Sequence, residues 1–306
     1  MAVYDSFYEF RAAPFALNPD PGFLFLSRQH REALAGLVYA VRDRKGFAVL
    51  TGEVGTGKTT LVHALLSTLG DQVQSALVFN PHLSRRDLYL HLLAEFHLPP
   101  QGSTLACVRA LQKLLLDQFE AGVRVVVIID EAHALSDDIL EEVRLLSNFE
   151  TSQSKLMQVL LIGQPELAQR LQNPALRQLR QRIAVRCELQ PLGFGELIAY
   201  VRSRLATAGG NPGLFSPRAC ATLYRFSGGL PRLINTLCDH ALLSGFAHDK
   251  LTIGPGLVRR AARDLDLPPL ARVGFWPWLR SRRHALVNSR GALEAAGISS
   301  LVEAGR

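Results

Sequence analysis

The densest chemistry in the chain lies between positions 52 and 60, which read Gly52-Glu53-Val54-Gly55-Thr56-Gly57-Lys58-Thr59-Thr60. Glycines at 52, 55 and 57 let the backbone curl until its N–H groups converge on phosphate oxygens. Lys58 brings a compact positive charge to the β- and γ-phosphates of a nucleoside triphosphate. The Thr59 hydroxyl takes a Mg²⁺ ligand position. Thr60, one residue further along, is placed to touch the α-phosphate. This pattern needs a strand before it and a helix after it. Phe47-Ala-Val-Leu50 and the stretch from Thr59 to Leu69 supply both.

A second chemical group lies about seventy residues on, at Val125-Val-Val-Ile-Ile129-Asp130-Glu131. An apolar run delivers two carboxylates at its C-terminal tip, the end at which open α/β sheets bind ligands. Asp130 can hold the hydration shell of Mg²⁺. Glu131 can polarise an attacking water. No competing chemistry stands out. The histidines at 63, 82, 91, 97 and 133 do not form a metal set, and no nucleophile elbow or Cys–His pairing is apparent.

These groups need a scaffold, and the hydrophobic pattern describes one. Short apolar runs occur at Phe47–Leu50, Ala76–Phe79, Val125–Ile129, Val159–Ile162 and Ile183–Leu189. Helical spacing lies between them at Leu61–Leu69, Arg86–Phe96, Leu105–Phe119 and Ile139–Phe149. The alternation predicts parallel βαβ units, an α/β sheet covered by helices on both faces. After Pro191 no strand is convincing. Glu196–Ala208, Pro217–Phe226, Pro231–Phe246 and Gly256–Leu265 read as a smaller all-helical domain punctuated by glycines. The expected organisation is an entry segment over 1–45, a nucleotide domain over 46–191, a helical lid over 192–267 and a basic, irregular tail over 268–306. In the entry segment, prolines break residues 14–22, and Ser27 can cap a helix through Leu34, Leu37, Val38 and Val41.

Composition adds bounds. The 306 residues carry a net charge of +7, much of it between Arg259 and Arg290, where eight arginines face two aspartates. Such a stretch suits an acidic partner, a membrane surface, nucleic acid or simply solvent. Trp276 and Trp278 beside it suit a membrane interface or the chain's own lid. The four cysteines show no C-x-x-C spacing and read as small buried hydrophobes in a reducing compartment. No secretory signal appears, and no window approaches the ~18 apolar residues of a membrane helix. A cytoplasmic protein without a transmembrane segment is the expectation.

With these motifs in view, the chain resembles the AAA+ ATPases. More narrowly, it is similar to the family of general secretion pathway protein A and the ATPases of mannose-sensitive haemagglutinin pilus biogenesis. The resemblance runs from residue 1 to about 267. It is carried by Phe7-Tyr-Glu-Phe10, Pro14-Phe15, Pro19-Asp20-Pro21 and His30-Arg-Glu-Ala-Leu34 in the entry segment. Further matches are Gly52–Thr60, Gly163-Gln-Pro-Glu-Leu167, Leu179-Arg-Gln-Arg-Ile183, Pro191-Leu192 and Gly228-Gly-Leu-Pro-Arg-Leu-Ile-Asn235.

The resemblance implies ATP and Mg²⁺ as ligands and hydrolysis as the reaction. It implies that Gln164 occupies the sensor 1 position and orders water against the γ-phosphate. It puts Arg182 at the arginine-finger position, reaching a neighbouring subunit's nucleotide in a hexamer or other ring. Arg177, Arg180 and Arg186 crowd the same stretch. Arg232 matches sensor 2 in the lid. Asn80 either restrains the catalytic glutamate or is a turn residue before Pro81. The implied role is remodelling or positioning a secretion or pilus assembly at the inner membrane, through envelope partner proteins. Secretion-branch members often carry a membrane helix after the lid. Here residues 276–283 read Trp-Pro-Trp-Leu-Arg-Ser-Arg-Arg, so a cytoplasmic form, peripheral to the inner membrane, is expected. Two rival readings stand beside it: a DNA-acting AAA+ protein of the transposition target-selector type, and a nucleotide-gated scaffold with little hydrolysis.

Overall fold

The apolar runs become five parallel strands in a computed structural model that describes residues 3–18, 20–79, 83–152 and 154–270. The strands are β1 (Phe47–Gly52), β2 (Val73–Val78), β3 (Arg124–Ile129), β4 (Met157–Gly163) and β5 (Ile183–Leu189). Their order is β2-β3-β4-β1-β5. Helices α1 (Arg28–Arg42), α2 (Lys58–Leu69), α3 (Arg85–Glu95), α4 (Thr104–Glu120), α5 (Asp137–Leu146), α6 (Pro165–Arg170) and α7 (Arg177–Arg182) accompany the sheet. The α/β, parallel, helix-covered class expected from the sequence is the one found.

Side chains alternate across each strand. The inner strands β1, β3 and β4 are buried on both faces, as a sheet covered on both sides requires, while edge strand β5 leaves Ala184, Arg186 and Glu188 exposed. Phe47, Val49, Val125, Val127 and Ile129 enter one core, with α3, α4 and α5. Ala48, Leu50, Val126 and Ile128 enter the other, with α1 and α2.

The element ends differ in detail. Strand β2 begins earlier than the apolar run and stops at Val78, leaving Phe79 exposed. Helix α5 ends at Leu146, short of the expected Phe149. The hydroxyl of its cap residue, Ser147, donates to the Arg144 carbonyl (2.7 Å) and ends the helix early.

The lid comprises α8 (Phe194–Thr207), α9 (Pro217–Ser227), α10 (Pro231–Phe246) and α11 (Pro255–Asp264). Its core is completed from far away in sequence. Tyr4, Tyr8, Phe10 and Phe15 are buried among its helices. The Tyr8 hydroxyl meets the carbonyls of Leu242 (3.2 Å) and Lys250 (3.1 Å). The entry segment therefore divides. Its first part belongs structurally to the lid, and α1 packs on the sheet.

Arg204 holds that division together. It is 8% exposed, donates to the carbonyls of Pro14 and Ala16, and lies 4.9 Å from the centre of the Phe23 ring. Replacing it removes a charged donor from the buried Pro14 carbonyl and a second from the more exposed Ala16 carbonyl, which costs about 2–3 kcal/mol. Arg204→Met is expected to lower stability by that amount in urea titrations. Limited proteolysis should then cut within residues 11–26 before it cuts the sheet. Unchanged stability and cleavage would show that the aromatic side chains alone hold the segment.

The cysteines are free. Cys107, Cys220 and Cys238 are buried and Cys187 is partly so. Among the described residues, no helix is long and apolar enough to cross a membrane. Trp276, Trp278 and most of the basic stretch lie outside the described residues, as do Asn80 and His82.

Candidate functional site

Strand β1 is fully buried and ends at Gly52, where the chain turns back on itself. Gly55 (φ +81°) and Gly57 (φ +99°) take left-handed conformations that a side chain at either position would strain. Helix α2 then starts at Lys58, with no side chain capping it. Its first N–H groups and its positive dipole end face the loop, the arrangement that favours an anion.

The Lys58 ammonium is turned inward. It donates to the carbonyls of Gly52 (2.7 Å) and Glu53 (3.1 Å). Burial lowers its pKa, against the opposing pull of Glu131, Asp130, Glu53 and Glu166. An arriving triphosphate gives this desolvated cation a stronger partner than two neutral carbonyls. Thr56 braces the loop by donating its hydroxyl to the Glu53 carbonyl (2.8 Å). Glu53, Val54 and Thr59 are exposed, and Thr60 is half-buried.

Strands β3 and β4 bring the other predicted residues to the same sheet end. Asp130 follows β3 directly and accepts the Glu131 N–H at 2.8 Å. Burial raises the Asp130 pKa, and that hydrogen bond and Lys58 partly oppose the rise. A divalent cation beside it would hold it charged. Among the described residues no cluster of three or more His, Cys, Asp or Glu could cage a metal. Mg²⁺ at a phosphate site needs no such cage, because it keeps waters and uses phosphate oxygens. One carboxylate and one hydroxyl, Asp130 and Thr59, fit that habit.

Glu131 stands at φ +52°, a left-handed conformation uncommon for a residue with a side chain. Such strain collects at functional sites. Its carboxylate lies half exposed, 3.4 Å from His133 Nδ1. The same Nδ1 faces the N–H of Gln164 at 3.4 Å. Gln164 follows β4 and precedes α6. Arg170 donates to the carbonyls of His133 and Leu135 (both 2.6 Å) and so fixes the turn beyond Glu131.

Two predicted arginines lie in different surroundings. Arg232 opens α10 directly over the loop. Its main-chain N–H donates to the Gly55 carbonyl (3.3 Å). A Cβ on Gly55 would stand 2.7 Å from that of Arg232. Arg182 sits at the end of α7, with its guanidinium on the C-terminal turn of α5. There it donates to Ser147 Oγ, to Asn148 Oδ1 (2.8 Å) and to the Arg144 carbonyl (3.4 Å). A cation at a helix C-terminus is well placed electrostatically. Arg180 pairs with Gln172 (3.0 Å), and Arg177 and Arg186 are exposed.

Two histidines near these groups were not legible as site residues. His133 falls three positions after Asp130, and His30 reaches Thr56 from α1. Only the motif match around His30 in the entry segment hinted at the second.

Residues 41–171 match the family model described as an AAA domain. The chain is 45% identical over 266 residues to general secretion pathway protein A of Aeromonas hydrophila, which covers 86% of this chain and 49% of that protein. It thus spans about half the length of that curated relative. Solved structures share the fold at lower identity. The Aeropyrum pernix ORC2 protein aligns with a TM-score of 0.63 at 19% identity, over 83% of this chain and 72% of that one. The Thermotoga maritima RuvB Holliday junction branch migration motor aligns at 0.56 and 18%, over 92% and 88%.

Proposed function

This chain is an AAA-domain protein related to general secretion pathway protein A, and on that premise we propose that it hydrolyses ATP to ADP and phosphate with Mg²⁺. The observation that carries the proposal is the gathering of Lys58, Asp130, Glu131 and Gln164 at the C-terminal ends of three adjacent strands, β1, β4 and β3. The Gly52–Thr60 loop binds the phosphates. Lys58 leaves its two carbonyls for the β- and γ-phosphates. Thr59 and Asp130 would hold Mg²⁺, whose charge offsets that of the phosphates. Glu131 takes a proton from water as the water oxygen bonds to the γ-phosphorus. The bond from that phosphorus to the β–γ bridging oxygen breaks, and ADP leaves. Gln164 orients the water. Arg232 reports on the nucleotide to the lid.

In this reading a neighbouring subunit completes the site with Arg182, within a homo-oligomeric ring. The Arg182 guanidinium now meets only neutral oxygens at the end of α5, and a phosphate would offer it a charged acceptor instead. The work done is remodelling or positioning of a secretion or pilus assembly, by a protein peripheral to the cytoplasmic face of the inner membrane. The 45% identity to general secretion pathway protein A supports that role.

Phosphate release from ATP, with Mg²⁺ and with a chelator, tests the reaction. No Mg²⁺-dependent release from folded, assembled protein would overturn it. Subunit mixing tests the shared site. Arg182→Ala subunits keep the loop and Lys58→Ala subunits keep the finger. In a random equimolar mixture about a quarter of interfaces combine both intact parts, so roughly that share of activity should return. No recovery, with both variants assembling, would rule out a finger acting across subunits.

A further inference from the structure

His30 lies outside the phosphate loop, yet its side chain reaches into it. The residue is 6% exposed and sits in the first turn of α1. Its Nε2 is 3.0 Å from the Thr56 carbonyl, and its Nδ1 is 2.7 Å from Ser27 Oγ. Ser27 and Thr56 are buried as well, at 4% and 1% exposure. A carbonyl can only accept, so Nε2 carries the proton. Burial depresses the His30 pKa, which favours the neutral ring. A neutral ring with its proton on Nε2 has a bare Nδ1, and the Ser27 hydroxyl donates to it. Donors and acceptors alternate along Ser27, His30 and Thr56 with none left over.

The geometry of one peptide unit gives this chain its use. The Thr56 carbonyl and the Gly57 N–H belong to the same peptide. In a trans peptide the two point in opposite directions. A carbonyl tied back to His30 therefore turns the Gly57 N–H away from α1. Gly57 lies so close that a Cβ there would sit 3.1 Å from His30 Nε2. The segment that leads into α1 comes from the lid core, where Phe25 stacks edge-on against Tyr200. Beside the direct contact of Arg232 with Gly55, a second path from lid to phosphate loop thus runs through Ser27 and His30.

We infer that His30 is a positioning residue of the nucleotide site, which ties the Thr56 carbonyl behind the loop and so aims the Gly57 N–H at nucleotide phosphate. This rests on the reading of Gly52–Thr60 as a nucleotide site, and it adds a residue that the phosphate motif does not contain. Loop N–H groups of this kind cradle the α- and β-phosphates. The effect should therefore fall on ADP as well as on ATP.

The test is titration of a fluorescent ADP analogue into the full chain, with thermal melts to confirm folding. His30→Leu leaves a buried carbonyl without its donor, and affinity should fall about tenfold. His30→Gln places an amide N–H near the Nε2 position and should recover affinity to within about threefold of wild type. Ser27→Ala frees the tautomer and should weaken binding by about threefold. In ATP turnover the His30→Leu loss should appear in KM, with kcat at saturation changed much less. A role in packing alone predicts a lower melting temperature, with affinity intact in folded protein. Wild-type affinity in His30→Leu would overturn the inference, as would a His30→Gln variant as weak as His30→Leu. If His30→Leu does not fold, wild-type affinity in Ser27→Ala overturns it. Binding is read without turnover, so a chain that binds ADP but never hydrolyses ATP defeats the proposed reaction and leaves this inference standing.

Discussion

Glu131→Gln is expected to slow phosphate release by about 100- to 1000-fold while ATP still binds. The amide has nearly the shape of the carboxylate but cannot take the proton from water. Nothing in the phosphate loop changes. Lys58 keeps its carbonyl partners and the α2 N-terminus stays free of a side-chain cap. Glu131 contributes the largest of the carboxylate fields that raise the Lys58 pKa. Its neutralisation leaves Lys58 with one fewer negative neighbour, so affinity for ATP should hold or rise slightly. The measurement pairs single-turnover phosphate release with nucleotide titration. A variant that hydrolyses at the wild-type rate would remove Glu131 from the reaction and leave Asp130, or water alone, as the base. A variant that stops hydrolysing yet assembles and supports the cellular function would favour a nucleotide-gated scaffold over a motor.

Much of this site was readable from the residues, for a physical reason. Phosphate binding at a loop needs consecutive backbone N–H groups, so its residues must be neighbours in sequence. Gly52 through Thr60 therefore declares itself. The strand ending in Asp130 and Glu131 does so too, because a buried parallel strand is a continuous apolar run. Gln164 and Arg232 were reachable only through family resemblance, because nothing local ties a strand-end glutamine or a helix-start arginine to a phosphate.

Contacts between distant parts of the chain were not readable. Tyr4 and Tyr8 are spaced as on a helix and Tyr8 and Phe10 as on a strand, so the pattern selects neither element, and their partners lie in the lid. Pro14 and Arg204 are separated by 190 positions and joined by a hydrogen bond. His30 sits on a buried helix face beside Ala33, Leu34 and Leu37, where a histidine looks like filler. Its role depends on a carbonyl 26 positions later. Family resemblance alone put Arg182 at the finger position, and its bonds to the end of α5 follow from packing that no short pattern encodes.

The second large effect concerns how the lid is attached. Gly229→Ala is expected to destabilise the chain by about 4 kcal/mol, among the larger values for one methyl group. Gly229 is buried at φ +86°, where an alanine is strained by roughly 1–2 kcal/mol before any contact is counted. The added carbon would also lie 2.1 Å from the Leu192 carbonyl oxygen and 3.0 Å from its carbon. Those are backbone atoms and cannot rotate away. The Leu192 N–H donates to the Gly229 carbonyl at 2.9 Å, so the shift that relieves the clash also breaks this bond. Leu192 lies where the chain leaves the sheet, and Gly229 lies just before the helix whose Arg232 rests on Gly55. The same methyl group should therefore loosen the lid from the phosphate loop and weaken nucleotide affinity.

Two further glycines separate clash from strain. Gly122 has φ +75° and nothing within 4 Å of an added carbon, so Gly122→Ala carries strain alone and should cost about 1–2 kcal/mol. Gly228 has φ +59°, and its added carbon would meet only the far end of the Leu270 side chain at 2.5 Å. That group can swing aside, so Gly228→Ala should resemble Gly122→Ala. Chemical denaturation of the three variants gives the comparison. Equal losses in all three would mean that the close approach of Gly229 to Leu192 does not hold the lid in place, and that nucleotide affinity should survive its loss.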